Sequence, residues 1–509
     1  MSAKTMEERL QQARDLYLRA RRTDAFALLH GCEDWQQPLA EQALALRAEI
    51  VTLRDPVAGL QELAAYQDAF VSSDARFEYA LASARAYTNS RNFDAARAMI
   101  AAAAAPLSRD DSRMSRIAYH RARLDVISNA EPDPQDFELA LRDPDPSIRF
   151  NALSWRAWMH IAADDFRSHI ADLREALRLF ETNGYLCNVT AVATSLHALL
   201  RAGFELGDAE AVEQAEAVYD AIEWTPDIQE YRFLCARAMA WDAYLGGDSA
   251  RAQWLFKDSK DFAPSDAWKV MAHVDRAYVA RMNDNEAWAL EELERAHSIA
   301  EHVSWGATKS EERVALVTLA ILYAPIDMVR AQRYVSTYIS MGVENIDPTL
   351  AATRGRRTIA FEKYASGCVQ QVMGNTALAV QSLETAFEIF SQSEYYYRAA
   401  LAANALFEVT KNPTWLETAR SYAIRFPHSA LSKKLTAPAS GQDVSIEGLS
   451  PFQRQLVMAI GEGLDVERLS VRFSRSTFTI ERQLEQVLQR TGAASPAALR
   501  ERIRERRTG

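Results

Sequence analysis

The stretch Phe233-Leu-Cys-Ala-Arg-Ala-Met-Ala-Trp-Asp-Ala-Tyr-Leu-Gly-Gly-Asp-Ser-Ala-Arg-Ala-Gln-Trp-Leu-Phe-Lys-Asp-Ser-Lys-Asp-Phe-Ala-Pro264 decides the fold of this chain. Two runs of good helix formers flank Gly246-Gly247-Asp248, where glycine and aspartate favour a turn over a continued helix. Counted from Gly247, Ala240 stands seven residues before the turn, and Ala252, Phe256 and Pro264 stand five, nine and seventeen after it. The two alanines let paired helices approach closely, the phenylalanine fills the space beside them, and the proline stops the second helix.

Parts of the same frame recur along the chain. Arg91 has Ala84 and Tyr87 before it and Ala96 and Ala103 after it, and Asp164 has Ala157 and Ala176. Asp284 has Ala277, Ala289, Leu293 and Ala296, while Gly374 has Gly367, Ala379, Leu383 and Ala386. The turn positions 91, 164, 247, 284 and 374 are 73, 83, 37 and 90 residues apart, each one or two repeats of 37 to 45. Weaker units at Gly207-Asp208 and Pro325 to Asp327 fill two of the gaps. The spacing resembles the tetratricopeptide pattern, which implies a helical solenoid. The resemblance covers residues 78–430; residues 1–77 read as helical without a register. Three stretches read as loops: Glu131 to Pro134, Asp143 to Pro146, and Gly342 to Gly355.

Composition agrees with an all-α chain. Glycine numbers 18 in 509 residues, about half the usual ~7% share. Apolar residues make up 48% and charged residues 25%, enough to bury a large core and too few charges for disorder. No apolar run is long enough to span a bilayer and no leader-like segment opens the chain, so a cytoplasmic location is expected. Cys32, Cys187, Cys235 and Cys368 are scattered without a Cys-x-x-Cys pair and read as buried free thiols. Net charge is −11, but residues 443–509 hold eleven arginines against nine acids, leaving −13 on the first 442 residues. The bulk of the chain should therefore repel nucleic acid.

No phosphate-cradling glycine loop, dinucleotide fingerprint or nucleophile elbow is present, so no cofactor, no metal and no catalytic residue is assigned, and an enzyme is not expected. His297 and His302 are five apart and fall on different helix faces. Asp164-Asp165 reads as a turn and helix cap. If the first helix of each pair lines a concave groove, the frame places Trp158, Trp241 and Tyr278 at equivalent groove positions, with Arg237, Tyr244, Arg281 and Tyr364 nearby. Aromatic and arginine side chains dominate recognition surfaces. The alternative is that these rings pack between successive repeats.

After His428 the periodicity gives way to Lys434 through Gly448, a linker-like stretch. Ser450-Pro451-Phe452-Gln453 then reads as an N-cap, a first-turn proline and a capping-box glutamine, opening a helix that ends at Gly461 to Gly463. Asp465 caps a second helix through Phe473, and Ser476 caps a third in which Ile480, Leu484, Val487 and Leu488 line one face. Ser495-Pro496 begins a fourth.

This region resembles the LuxR-type (GerE-like) helix-turn-helix domain through Leu449-Ser450-Pro451, Arg454, Glu462-Gly463-Leu464, Leu469, Arg472, Ser476, Thr479-Ile480, Leu484, Leu488, Gly492 and Ser495, in order and without a gap. The resemblance implies that the third helix enters a major groove and that the fourth supports a homodimer on a two-fold DNA site. It places Arg472, Arg475, Thr477, Thr479, Glu481, Arg482, Glu485 and Arg490 at the DNA, with Arg472, Arg475 and Arg490 as phosphate contacts. Glu481 replaces the family's usual lysine and Glu485 a frequently basic residue. Carboxylates suit DNA there only by accepting from a cytosine amino group.

The expected architecture is thus all-α: a tetratricopeptide-like solenoid over 1–433, a linker over 434–448, and a four-helix LuxR-type helix-turn-helix domain over 449–509. The expected function is transcriptional regulation, with double-stranded DNA bound by the C-terminal domain and a protein, peptide or small-molecule effector on the solenoid. The competing expectation is an interaction scaffold or anti-activator whose helix-turn-helix does not bind DNA.

Overall fold

In the computed structural model, the described residues are 3–341 except 129, 164, 284 and 309, then 351–436, and near the C-terminus 449, 451–461, 464–473, 475–491, 496 and 499. Every regular element among them is helical. The first four hairpins are α1–α2 (Ala3–Leu18, Arg22–Leu28), α3–α4 (Leu39–Arg54, Pro56–Ala65), α5–α6 (Ser73–Asn89, Phe93–Ala104) and α7–α8 (Met114–Ser128, Pro134–Ala140). Next come α9–α10 (Pro146–Ala162, Phe166–Asn183), α11–α12 (Val189–Leu206, Ala209–Ala221), α13–α14 (Gln229–Leu245, Ser249–Asp261) and α15–α16 (Asp266–Met282, Glu286–Ala300). The last three are α17–α18 (Ser310–Tyr323, Met328–Ser340), α19–α20 (Ala351–Val372, Thr376–Gln392) and α21–α22 (Tyr396–Thr410, Pro413–Ala423), followed by α23 (Ala430–Thr436).

All seven turns read from the repeat frame separate the two helices of a hairpin. Asp164 and Asp284 themselves lie outside the described residues. A short polar residue caps the second helix each time its side chain is seen to accept an orphan backbone N–H. Asp165 takes the N–H of Ser168 (3.1 Å), Asp208 that of Ala211 (3.1 Å), Asp248 that of Arg251 (2.9 Å) and Asp327 that of Arg330 (3.1 Å). Gly247 sits at φ +85°, and a Cβ there would approach the Cβ of His428 to 2.8 Å, so both backbone and packing demand glycine. Ala240 and Ala252 are fully buried and Phe256 is 1% exposed.

The solenoid closes on itself. Hairpins five apart in the chain meet: α9 touches α19 and α11 touches α21. The first hairpin reaches the sixth and its flanking loop in the same way. Arg22 donates from its backbone N–H to Asp227 (2.8 Å) and from its guanidinium to Thr190 (2.7 Å), while Thr225 donates to the carbonyl of Ala20 (2.8 Å). Hairpins five apart in the chain therefore pack against one another.

Three expectations about boundaries change. Helix α19 already begins at Ala351, inside the stretch read as a loop, because Ala351-Ala352-Thr353-Arg354 is compatible with helix; residues 342–350 lie outside the described residues. The proline pairs end their loops rather than continue them: Pro134 and Pro146 occupy first helical turns capped by Asp133 and Asp145. Helix α23 runs to Thr436, past the expected boundary at 433; the linker beyond it, 437–448, lies outside the described residues.

The C-terminal segment holds α24 (Pro451–Gly461), α25 (Val466–Phe473) and α26 (Thr477–Thr491). They share a core of Leu449, Leu456, Val457, Ile460, Leu469, Ile480, Leu484 and Val487, with Leu499 buried against it. Asp465 accepts from the N–H of Arg468 (2.9 Å) and Ser476 from that of Thr479 (3.2 Å), which sets the starts of α25 and α26. Ser450, Gly492 and Ser495 lie outside the described residues, and the fourth helix is represented by Pro496 and Leu499 alone.

Candidate functional site

The inner helices bring most of the aromatic and arginine residues singled out by the repeat frame into one place, but that place is packed. Trp241 is 3% exposed and Tyr244 2%. Tyr278 lies 5.4 Å from the Trp241 ring and 6.4 Å from Tyr244, and Arg398 of α21 stands over Trp241 at 5.5 Å. Arg237 is paired with buried Asp275 (2.5 Å). Burial pushes the Asp275 carboxyl up, and Arg237 opposes that shift. Arg281 donates to the Leu322 carbonyl (2.6 Å), and Tyr364 packs near Phe390 at 6.4 Å. Trp241 and Tyr278 thus pack between successive repeats with Arg398 of α21 over Trp241, and Arg237 and Arg281 are held by Asp275 and Leu322 of the following repeat. A repeat frame records which face points inward; superhelical pitch decides whether that face stays open.

Trp158 is placed differently. It lines a cavity of about 160 Å³ among α9, α11, the start of α10, the start of α13, and Tyr395 at the beginning of α21. The polar wall comes from His169, His197, Arg201, Glu205 and Glu230; Phe166, Tyr231 and Tyr395 add rings. None of these was singled out in the sequence. The signal was available: Arg201 lies six residues before Gly207, as Trp158, Trp241 and Tyr278 lie six before positions 164, 247 and 284. His197 lies ten before Gly207, the offset of Arg237 from Gly247. Extending the frame to the weaker unit at Gly207 yields both.

Two residues of the wall, His169 and Glu205, each carry a buried acceptor atom without a donor. His169 is 1% exposed, and its Nδ1 lies 2.8 Å from the Ala157 carbonyl. A carbonyl only accepts, so Nδ1 carries the proton and Nε2, which is buried and unpartnered, presents a lone pair. Burial holds the ring neutral by pushing its pKa down to about 4. Glu205 is 4% exposed; one carboxylate oxygen lies 3.6 Å from Arg398, and the other has no partner. Leaving such atoms without a donor costs about 1–3 kcal/mol each.

The residues assigned to DNA divide into two groups. Arg472, Thr477, Glu481 and Glu485 are exposed. Arg475, Thr479 and Arg482, together with Gln483 and Phe452, line a cleft of about 30 Å³ against Glu286, Leu290, Pro325 and Ile326 of the solenoid. Arg475 stacks at 4.5 Å over the Phe452 ring. Its pKa is lowered by burial, with Glu286 acting in the opposite sense. Gln453 directs its amide at Gln483 (3.3 Å) and Gln486 (3.2 Å) of α26. Arg490 falls in α26, but its side chain lies outside the described residues.

Among the described residues no group of three His, Cys, Asp or Glu side chains is placed to hold a metal ion. No helix among them is long and apolar enough to cross a membrane.

No family model matches the chain, and no curated protein matches its sequence. Among solved structures, the apo form of the quorum sensor NprR from B. thuringiensis is similar at 10% identity and a TM-score of 0.40, covering 80% of this chain and 99% of its own. A Rap protein complexed with competence and sporulation factor is similar at 14% identity and a TM-score of 0.38, covering 68% and 100%. The human IFIT1 dimer with PPP-AAAA gives 13% identity and a TM-score of 0.32, covering 81% and 96%.

Proposed function

We propose that this chain is a transcriptional regulator that binds double-stranded DNA through its C-terminal helices, as a homodimer, and receives a protein, peptide or small-molecule signal on the solenoid. The observation that carries the reading is the pair α25 and α26. Each starts at its own side-chain cap, a short turn joins them, and a core separate from the solenoid supports both. That arrangement lets α26 lie in a major groove with its first turn, Thr477 to Arg482, toward base edges.

The cleft gives the reading a resting state. Arg475 and Arg482 line a cleft with Glu286 and the turn between α17 and α18, so in this arrangement both cations are turned away from DNA. A signal that separates α26 from the solenoid would release them.

A second reading, a scaffold or anti-activator that does not bind DNA, draws support from the exposure of Glu481 and Glu485 on α26. Titrating the full chain and Glu481→Lys with genomic duplex fragments at two salt concentrations separates the two. On the regulator reading the parent binds in a sequence-dependent way, and the substitution raises non-specific affinity while degrading discrimination. A parent without sequence-dependent binding at low salt, and a variant that gains binding, would establish the scaffold.

A further inference from the structure

We propose that the inner face of the third to fifth hairpins, around Arg85 and Arg123, is a binding site for a small ligand bearing an oxyanion, a phosphate or a carboxylate. The argument starts from charge. Arg85 of α5 is paired with Glu49 of α3, and Arg116 of α7 with Glu78 of α5. A third carboxylate acting on this group, Asp143, is buried and accepts from Ser115 (2.5 Å) and from the N–H of Asp145 (2.8 Å). Arg123, two turns beyond Arg116 on α7, is different. Its guanidinium donates to the Asn89 side-chain oxygen (2.7 Å) and lies over the Trp155 ring of α9 at 5.4 Å, and among the described residues no carboxylate comes within 4.0 Å of it. One neutral acceptor leaves the rest of its five N–H donors to another partner.

The cations also stand close together. Arg85 and Asn89 are one turn apart on α5, with about 6 Å between their Cβ atoms, so the guanidinium held by Asn89 and that of Arg85 share one stretch of the inner face. The buried His120 ring registers the same crowding: burial holds its pKa well below the usual value, and Arg85, Arg123 and Arg116 all add to that shift. Solvent reaches the group. The Arg85 and Arg116 side chains are 24% and 30% exposed, and Arg123 and Trp155 are partly exposed. In a solenoid whose first 442 residues carry −13, an accessible arginine without an acid, set beside a second arginine, selects a negative group. The planar guanidinium fork binds phosphate or carboxylate through two parallel hydrogen bonds, and the exposed part of the Trp155 ring offers a surface to an aromatic body. A cationic ligand would meet like charge, because Glu49 and Glu78 are already engaged.

The biological use of the site rests on the proposed sensor role of the solenoid, but its occupancy is measured without DNA, so its failure would leave DNA binding standing. The test is isothermal titration calorimetry on the full chain, at fixed ionic strength, with phenyl phosphate, benzoate, benzyl alcohol and benzylammonium. At least one of the two oxyanions is expected to bind saturably, the tighter one identifying the natural group as phosphate or carboxylate, with benzyl alcohol and benzylammonium weaker by about tenfold or more. Arg123→Gln breaks no ion pair and should weaken the bound anion by about tenfold or more. Asn89→Asp is a second variant that leaves both arginines in place and supplies Arg123 with an acid of its own, which should compete with the ligand and weaken it to a similar extent; thermal melting confirms that each variant is folded. Saturable binding by neither oxyanion, equal or tighter binding of the alcohol or the ammonium, or undiminished anion binding in either folded variant would overturn the proposal.

Discussion

Glu205 on α11 and Arg398 on α21 face each other at 3.6 Å across the interior of the solenoid, joining hairpins that are five repeats apart. Both side chains are largely buried, at 6% and 18% exposure. The pair marks the place where one turn of the superhelix is locked to the next, between the packed aromatic cluster on one side and the open cavity on the other.

Replacing Arg398 with Met keeps an apolar stem beside Trp241 and Phe361 but leaves the Glu205 carboxylate buried without a cation. Breaking a buried pair from one side costs about 3–5 kcal/mol, and replacing both partners costs much less. Urea denaturation of Arg398→Met should show a loss of that size, and the double variant Glu205→Gln with Arg398→Met should recover most of it. A single-variant loss below about 1 kcal/mol would mean that the pair does not hold the turns together.

Acid should loosen the same region. The unfolded chain protonates His169 near the ordinary histidine pKa of about 6.5, whereas the folded ring takes a proton only at about 4. Between these values the unfolded state binds more protons, so stability is full above about pH 6.5 and falls as pH drops toward 4, by roughly 3 kcal/mol. His120, whose pKa burial lowers well below the usual value, acts in the same direction. Chemical denaturation at pH 7 and pH 4.5 should show a smaller loss for His169→Gln than for the parent. Equal losses would indicate that His169 is protonated in the folded chain.

Contact between α26 and the solenoid should oppose DNA binding. Glu286→Lys replaces the acid facing Arg475 with a like charge, and repulsion of about 1 kcal/mol corresponds to roughly fivefold tighter DNA binding without added signal. Fluorescence anisotropy with a fixed duplex measures it, and a melting curve checks folding. Unchanged affinity in a folded variant would rule out the cleft as a restraint.

The turns of the solenoid were legible because a hairpin is a local event: a small residue at the close approach, in most units a short polar cap, and a glycine or equivalent at the reversal. Closure was not legible. Nothing near Trp241 in the chain signals that Arg398 will cover it, since that contact depends on small rotations accumulated over four hairpins. For the same reason Trp241 and Trp158 share a register position and differ in fate, one sealed beneath α21 and the other lining a cavity. The residues opposite Trp158 escaped notice because the unit at Gly207 carries a weak version of the frame. In the C-terminal segment, caps and core positions followed from spacing, whereas the turning of Arg475 onto Phe452 and toward Glu286 depends on a surface distant in sequence.

The central claim, sequence-specific DNA recognition by α26, is tested most directly by selecting the full chain against a random duplex library at low salt, beside the fragment 1–436 and the variant Arg482→Ala. The account predicts that the full chain enriches a two-fold symmetric sequence and that the solenoid fragment enriches none. Arg482→Ala should bind the selected site more weakly by about 1–3 kcal/mol. Recovery of no preferred sequence by the full chain, under conditions where a control regulator recovers its own, would contradict it.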